Sequence, residues 1–490
     1  MKKKYNHNKT PIFDTIYDHA QRDVVSFHTP GHKNGHCVDE RLLDFLGSNV
    51  FKSDLTVFPE VDSIHSPTGI IKEAQDLYSD LVGSKETFFL LNGSSMGNEV
   101  MFMSACNPGD SVIISRNAHK SAMGGIILSG VWPIWIQPTV DEEFDVFFDS
   151  SPEQIEKALI KFPEAKAVFV TNPTYNGILT DIKKIADIVH EYGKILLVDE
   201  AHGAHLGLSD NIAKSAVKLG ADLVVQSSHK TLAVLSQGAV LHVNSDRVDI
   251  NKVKKVVSLL QTTSPNYVIL SSLDVARKQM YFHGKELVDR MIENAEYIRS
   301  KQSEFKKFRF LTKADLVRKG YDLDLTKVTV NVSKTGLEGY EVSEILAKEY
   351  NIQFDCADFF NLIAILGVGT LREDMDKLIA ALKEIESKYE GKLKNTAIKL
   401  PSLATEMVMS PRQIFLCANT NTDVIEIEEA YGHISAQTLT PYPPGIPVLI
   451  PGERITKEVC DYLESLESKA IRVSGQEGTK LDYIKIVKVD

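Results

Sequence analysis

The sequence predicts an α/β protein built on a mostly parallel sheet, and three observations carry that prediction. Short, continuous apolar runs at 111–114, 167–170, 195–198 and 223–225 have the character of strands buried on both faces. Helical patterns near 181–192 and 211–219 separate the last three of them, as parallel strands require. A second alternating region begins after about 305, with a strand at 327–332 and helices at 341–350 and 372–390.

The remaining elements follow in order. Residues 11–80 mix short helical patterns with loops, and Phe27-His28-Thr29-Pro30-Gly31-His32-Lys33-Asn34-Gly35 is rich in breakers. A strand at 87–91 leads through Asn92-Gly93-Ser94-Ser95 into a helix from about 96. Residues 249–300 read as long helix, dense in Lys and Glu. A composition change at 392–401 marks a linker, and a Pro-Gly-rich loop at 441–447 precedes Pro451-Gly452-Glu453. This gives an N-terminal segment 1–45, a large domain 46–300, a smaller α/β domain 301–395 and a C-terminal α+β domain 396–490.

The 490 residues are too many for one ordinary core. Apolar content of 43% and charged content of 25% are those of ordinary globular chains. A net charge of -11 argues against general attraction to nucleic acid or anionic membranes. The five widely spaced cysteines, with no Cys-x-x-Cys pair, fit reduced thiols in a cytoplasmic protein. No apolar run reaches membrane-spanning length, and the Met1-Lys2-Lys3-Lys4 start lacks the apolar stretch of a signal peptide.

Three segments follow strands, where ligands of open parallel sheets collect. In Asn92-Gly93-Ser94-Ser95-Met96-Gly97-Asn98, small residues admit an anion to backbone amides, hydroxyls donate, and a helix N-terminus follows. Asp199, at a strand's C-terminal edge in Asp199-Glu200-Ala201-His202-Gly203-Ala204-His205, is placed to pair with a protonated ring nitrogen. Lys230, in Gln226-Ser227-Ser228-His229-Lys230-Thr231, becomes a nucleophile if burial lowers its pKa, with hydroxyls beside it for a phosphate. Together they point to pyridoxal 5'-phosphate held covalently by Lys230. The rival, a metal site of Glu200, His202 and His205, lacks helical ligand spacing in a Gly-broken loop, so no metal is expected.

These segments, with Arg116-Asn117-Ala118-His119-Lys120-Ser121, Phe27–Lys33, Thr262-Thr263-Ser264-Pro265 and the 441–453 loop, resemble the Orn/Lys/Arg decarboxylase family. Its members are bacterial fold-type-I (aspartate aminotransferase-like) pyridoxal-phosphate enzymes. The likeness runs from about 11 to 460 with the segments in the same order, and it implies the short form without an N-terminal wing domain.

The resemblance implies roles residue by residue. Lys230 would carry the cofactor, Asp199 would pair with its pyridine nitrogen, and His119 would stack on the ring. Ala201 would pack on the opposite face with His202 nearby; Gly93, Ser94, Ser95, Met96 and Ser227 would line the phosphate site. His229 would be a proton donor, and Thr262 would reach the phosphate of a second subunit, implying a homodimer or a larger assembly. Glu453, with Asp62 and Glu60 behind it, would meet a cationic substrate side chain. The segment Val61-Asp62-Ser63-Ile64-His65 departs from the family's paired-acid form, so substrate contacts there do not carry over directly.

The implied activity is decarboxylation of arginine, lysine or ornithine to agmatine, cadaverine or putrescine. Which of the three is preferred, the assembly beyond a dimer and the physiological role are not legible in the residues. Transamination or a lyase reaction on the same scaffold is the nearest alternative, with Arg372 as a possible carboxylate anchor. A binding protein on a decayed fold conflicts with the intact Lys230, Asp199 and His119.

Overall fold

The computed structural model describes residues 5–389, 401, 405–417, 421–442, 446–467, 472–475 and 481–488. The chain forms two compact units, each assembled from separated stretches. The first comprises Met1–Ala105, Ile195–Met291 and Gly367–Gly369; the second comprises Cys106–Lys194, Ile292–Leu366 and Thr370–Asp490. The expected linker at 392–401 falls almost wholly outside the described residues, as does the Pro443-Pro444-Gly445 tip of the Pro-Gly loop.

In the first unit, Ile195–Asp199 runs parallel to Leu223–Gln226 with Val198 opposite Val224. Ala239–Val243 pairs antiparallel with Leu223–Gln226, and Glu86–Leu90 pairs antiparallel with Ala239–Val243. The parallel strands are buried throughout, which is why their sequences read as unbroken apolar runs. Helix Gly93–Ala105 packs on these strands. A Cβ on Gly97 would lie 2.2 Å from Val225 Cγ2 and 3.0 Å from Leu90 Cδ1, so only glycine permits this approach of helix to sheet.

The N-terminal helix Pro11–Gln21 is tied to the same unit by a buried ion pair. Asp274 accepts from the Ile12 N–H at 2.9 Å and pairs with Arg277, whose guanidinium also donates to the His7 carbonyl. Ile12, Ile16, Ile71, Tyr78, Phe89, Val240 and Tyr267 fill the core beneath it. The long helix expected over 249–300 is two helices, Ile250–Leu260 and Tyr267–Ser300. Pro265 lies in the break, where it can supply no backbone donor. The helix expected at 211–219 shrinks to Ala216–Leu219, capped by Ser215 and closed by the left-handed Gly220.

In the second unit, Ser111–Ser115 is flanked on both sides by parallel partners, Trp132–Ile136 and Ala167–Thr171. A separate antiparallel sheet runs in the order Arg309–Phe310, Lys327–Asn331, Asn361–Ile365, Cys356–Ala357. Val330, Leu362, Leu346, Leu382 and Ile385 bury its core against helices Gly339–Tyr350 and Arg372–Lys388. The C-terminal portion has its own core, including Leu439, Val448, Ile455, Leu463 and Ile484. No helix among the described residues is long and apolar enough to cross a membrane.

Candidate active site

The first unit gathers its chemistry at the ends of Ile195–Asp199 and Leu223–Gln226. Asp199 is the last residue of its strand and is buried. Its Oδ2 accepts from Asn98 Nδ2 at 2.8 Å and its Oδ1 from the Ala201 N–H at 3.0 Å. Two donors on a buried carboxylate fix its orientation and leave acceptor capacity for a further donor. Asn98 stands one helical turn beyond Ser94 on helix Gly93–Ala105, so that helix supplies a residue to each end of the site.

Ser94 reaches the same region from the N-terminal turn of that helix. Ser227 Oγ donates to Ser94 Oγ at 2.7 Å, joining two of the expected phosphate ligands. Gly93 has φ +70°, a conformation that suits glycine at this turn. Ser95 is exposed, Gly93 half-buried and Met96 buried, so Met96 belongs to the packing below the turn.

Helix Ser228–Thr231 follows Leu223–Gln226 directly and carries His229 and Lys230. Lys230 is half-buried, more open than a fully buried nucleophile. Its Nζ lies 2.9 Å from Nε2 of His202, a buried residue. The bond runs between the two nitrogens, its sense set by their protonation states. His229 Nδ1 donates to the Gly238 carbonyl at 3.0 Å, which fixes the ring and leaves Nε2 as its second face. Ala201, also buried, lies between Asp199 and His202 in the chain.

His119 and Glu453 lie in the second unit. His119 is the N-cap of helix Lys120–Ser129, where its Nδ1 accepts from the Ser121 N–H at 3.3 Å. Glu453 is buried, with 1% of its surface exposed, and receives Arg116 Nη1 at 2.5 Å and Nη2 at 2.6 Å. The Ile450 N–H adds a third donor at 2.9 Å. The carboxylate expected to meet substrate is thus engaged in a buried, bidentate ion pair inside its own unit.

The other substrate acids are engaged as well. Asp62, itself at φ +63°, accepts from the N–H groups of Ser63, Thr68, Gly69 and Ile71. It shapes the turn entering helix Ile70–Val82, a structural task that uses its lone pairs. Glu60 pairs with Arg22 and His19. Thr262 is exposed on this chain, and its carbonyl accepts from His65 Nε2.

Sequence reading assigned no role to Asn98 or Gln226, and to Glu200 only the rival metal reading. Asn98 had a signal, its i+4 spacing from Ser94 on a helix. Glu200 and Gln226 had none, because their contact depends on which strands pair. Arg372, the possible carboxylate anchor for transamination, instead stacks its guanidinium 4.1 Å over the Tyr297 ring.

The donor set fits pyridoxal phosphate. It offers an oriented carboxylate for a ring nitrogen, two hydroxyls at a helix N-terminus for a phosphate, and a lysine amine held on the same strand ends. A strand-end site of this kind in a sheet of this kind defines a fold-type-I pyridoxal-phosphate enzyme. Comparison with known proteins narrows it: the chain belongs to the Orn/Lys/Arg decarboxylase family. The family's major domain matches residues 10–374 and its C-terminal domain residues 393–479.

An arginine decarboxylase of Bacillus subtilis is 36% identical over 485 residues, covering 98% of both chains. The constitutive lysine decarboxylase of Escherichia coli is 26% identical, covering 99% of this chain and 82% of its own. A lysine decarboxylase structure from Francisella novicida superposes with a TM-score of 0.83 at 23% identity, over 98% of this chain and 81% of that one. The protein is a pyridoxal-phosphate-dependent amino-acid decarboxylase.

Proposed function

We propose that this enzyme decarboxylates a basic L-amino acid, with arginine the first candidate, releasing carbon dioxide and agmatine. The contact of Lys230 Nζ with His202 Nε2, on the same strand ends as Asp199 and the Ser94–Ser227 pair, supports the cofactor site, and the match to the Orn/Lys/Arg decarboxylase family carries the reaction class. The full-length likeness to proteins named arginine decarboxylase, at 34–36% identity, favours arginine over lysine and ornithine.

Bound at Lys230, pyridoxal phosphate supplies a sink for the electron pair left when the Cα–carboxylate bond breaks. Asp199 would accept the ring nitrogen's hydrogen bond and favour its protonated form. Asn98 and the Ala201 N–H hold Asp199 in place for this role. Ser94, Ser95 and Ser227 would hold the phosphate, and the family resemblance would give His119 the task of covering the ring. The 2.9 Å contact with His202 Nε2 holds the Lys230 amine at the strand ends, where it would take up the cofactor. His229, with Nδ1–H tied to Gly238, leaves Nε2 to take up a proton and pass it to Cα.

In this reading the protein is a cytoplasmic homodimer, and the exposed Thr262 reaches the partner copy's phosphate site. The engaged Glu453, Asp62 and Glu60 leave the recognition of the substrate's cationic end to other acids. Transamination is the weaker alternative, since Arg372 is stacked on Tyr297. The test is a panel of arginine, lysine and ornithine, scored for amine, carbon dioxide and keto acid. Agmatine and carbon dioxide in equal amounts support the proposal. Negligible turnover of all three, or keto acid as the product, overturns it.

A further inference from the structure

A chain of buried polar groups runs beneath the site, across three strands of the first unit, and ends on Glu200. Ser84 Oγ lies 3.0 Å from Thr87 Oγ1, and Thr87 Oγ1 lies 2.9 Å from His242 Nδ1. His242 Nε2 lies 3.1 Å from Gln226 Oε1, and Gln226 Nε2 lies 2.6 Å from Glu200 Oε2. Ser215 Oγ donates to the same oxygen at 2.6 Å, and the Ala216 N–H donates to Oε1 at 2.7 Å. Thr87, His242, Gln226 and Glu200 are all buried, and Glu200 has no exposed surface.

The direction of the chain follows from its members. Gln226 turns its amide nitrogen to Glu200, so its carbonyl oxygen faces His242 and takes the Nε2–H. Nδ1 of a neutral His242 is then an acceptor, and the Thr87 hydroxyl must donate to it. Burial drives the His242 pKa down to about 3, so the ring stays neutral and can relay in this sense. Every hydrogen therefore points toward Glu200, which receives three donors and gives none. Such an arrangement stabilises a carboxylate, not a carboxylic acid.

The stabilised charge is the next residue after Asp199. A glutamate used only to pack the sheet could be replaced by a glutamine with the same shape and fewer demands on its surroundings. Here three donors are aimed at its two oxygens and offset part of the cost of burying its charge, next in the chain to the acid read as the ring nitrogen's partner. Two buried anions in sequence hold a neighbouring proton more tightly than one.

We propose that Glu200 is a positioning residue that acts through Asp199, its buried charge holding the cofactor's ring nitrogen in the protonated form. The proposal rests on the reading of Asp199 as the ring nitrogen's partner. The groups facing Glu200 are Asp199 on its own segment, Ser215 and Ala216 at the start of helix Ala216–Leu219, and Gln226 with His242 behind it. Of these, the His242 ring is kept neutral by its burial. Burial raises the Glu200 pKa to about 7, with the nearby Asp199 adding to the rise and the three donors opposing it. The ring nitrogen's hold on its proton thus tightens as pH rises through neutrality.

The test is a pH titration of the holoenzyme loaded with pyridoxal phosphate carrying nitrogen-15 in the ring, read by the ring-nitrogen NMR signal. The wild type keeps the protonated signal from pH 6 to roughly pH 9, whereas Glu200→Gln loses it with an apparent pKa lower by about one unit, a tenfold change. Gln226→Leu removes one donor, weakens the charge on Glu200 and shifts the titration in the same direction by less. It carries the test if Glu200→Gln does not fold. Asp199→Asn is the control and abolishes the protonated signal. If Asp199→Asn leaves the signal intact, the Asp199 reading falls and this proposal with it. If Asp199→Asn abolishes it while Glu200→Gln and Gln226→Leu both titrate as the wild type does, the Glu200 proposal alone is overturned.

Discussion

Asn98 Nδ2 donates a 2.8 Å hydrogen bond to Oδ2 of Asp199, from the helix that carries Ser94 to the strand end that faces it. In the proposed site, this bond would link the phosphate end to the ring-nitrogen end through one helix. Replacing Asn98 with Ala leaves Asp199 with one of its two donors. A hydrogen bond to a charged group contributes about 1.5–3 kcal/mol, so pyridoxal phosphate is expected to bind roughly 10- to 100-fold more weakly. Equilibrium titration of the apoenzyme with cofactor checks this. Unchanged affinity would mean that Asp199 needs no help from the helix.

Glu453 is expected to matter for stability and not for substrate choice. With Arg116 it forms a pair whose side chains are 0% and 1% exposed. Removing one partner of a buried pair costs about 3–5 kcal/mol, because the other charge is stranded. Glu453→Gln should therefore melt at a clearly lower temperature. Arg116→Met with Glu453→Leu should recover much of that loss, since no unpaired charge remains. A Glu453→Gln enzyme that melts like the wild type but loses discrimination between arginine and lysine would restore the substrate role.

His202 is expected to affect turnover more than cofactor capture. Its Nε2 is the partner of Lys230 Nζ at 2.9 Å, and removing a group positioned for proton transfer costs on the order of 10²-fold in rate. His202→Phe should still bind cofactor at Lys230, as visible absorbance reports, while kcat falls. Full activity in this variant would show that the contact is incidental.

The sheet strands were legible in the sequence where burial is complete on both faces. Strands Ser111–Ser115, Ala167–Thr171, Ile195–Asp199 and Leu223–Gln226 read as continuous apolar runs for that reason. Trp132–Ile136 was missed because Pro133 reads against a strand, and its place beside Ser111–Ser115 at the sheet's edge is what tolerates the proline. Ala239–Val243 was missed with it, and its buried His242 is explicable only once Gln226 and Thr87 are seen on the flanking strands.

The site divides along the same line. Lys230, Asp199 and Ser94 follow strands directly, so local sequence places them. The pairing of Arg116 with Glu453 spans 337 positions, and no local pattern announces it. That is why Glu453 looked like a loop acid available to substrate.

Asp358 gives the second unit a pH signature. Burial drives its carboxyl up to about 7, against donors from Phe360 and Asn361 that favour the charge. An unfolded aspartate titrates near 3.9, so the folded state holds the proton more tightly. The resulting stability is fully present below about pH 4 and is lost as pH rises through about 7. Asp358→Asn keeps an acceptor oxygen but has no proton to lose. Its melting temperature relative to wild type should climb between pH 4 and pH 8, as scanning calorimetry at matched ionic strength would register. A constant difference across that range would contradict the assignment.

The most direct test of the central claim is the release of labelled carbon dioxide from carboxyl-labelled arginine by the cofactor-loaded wild type and by Lys230→Ala. The wild type should release carbon dioxide and agmatine in equal amounts, and the variant should be slower by at least about a thousandfold. Release by Lys230→Ala at the wild-type rate, or keto acid without carbon dioxide from the wild type, would contradict the account.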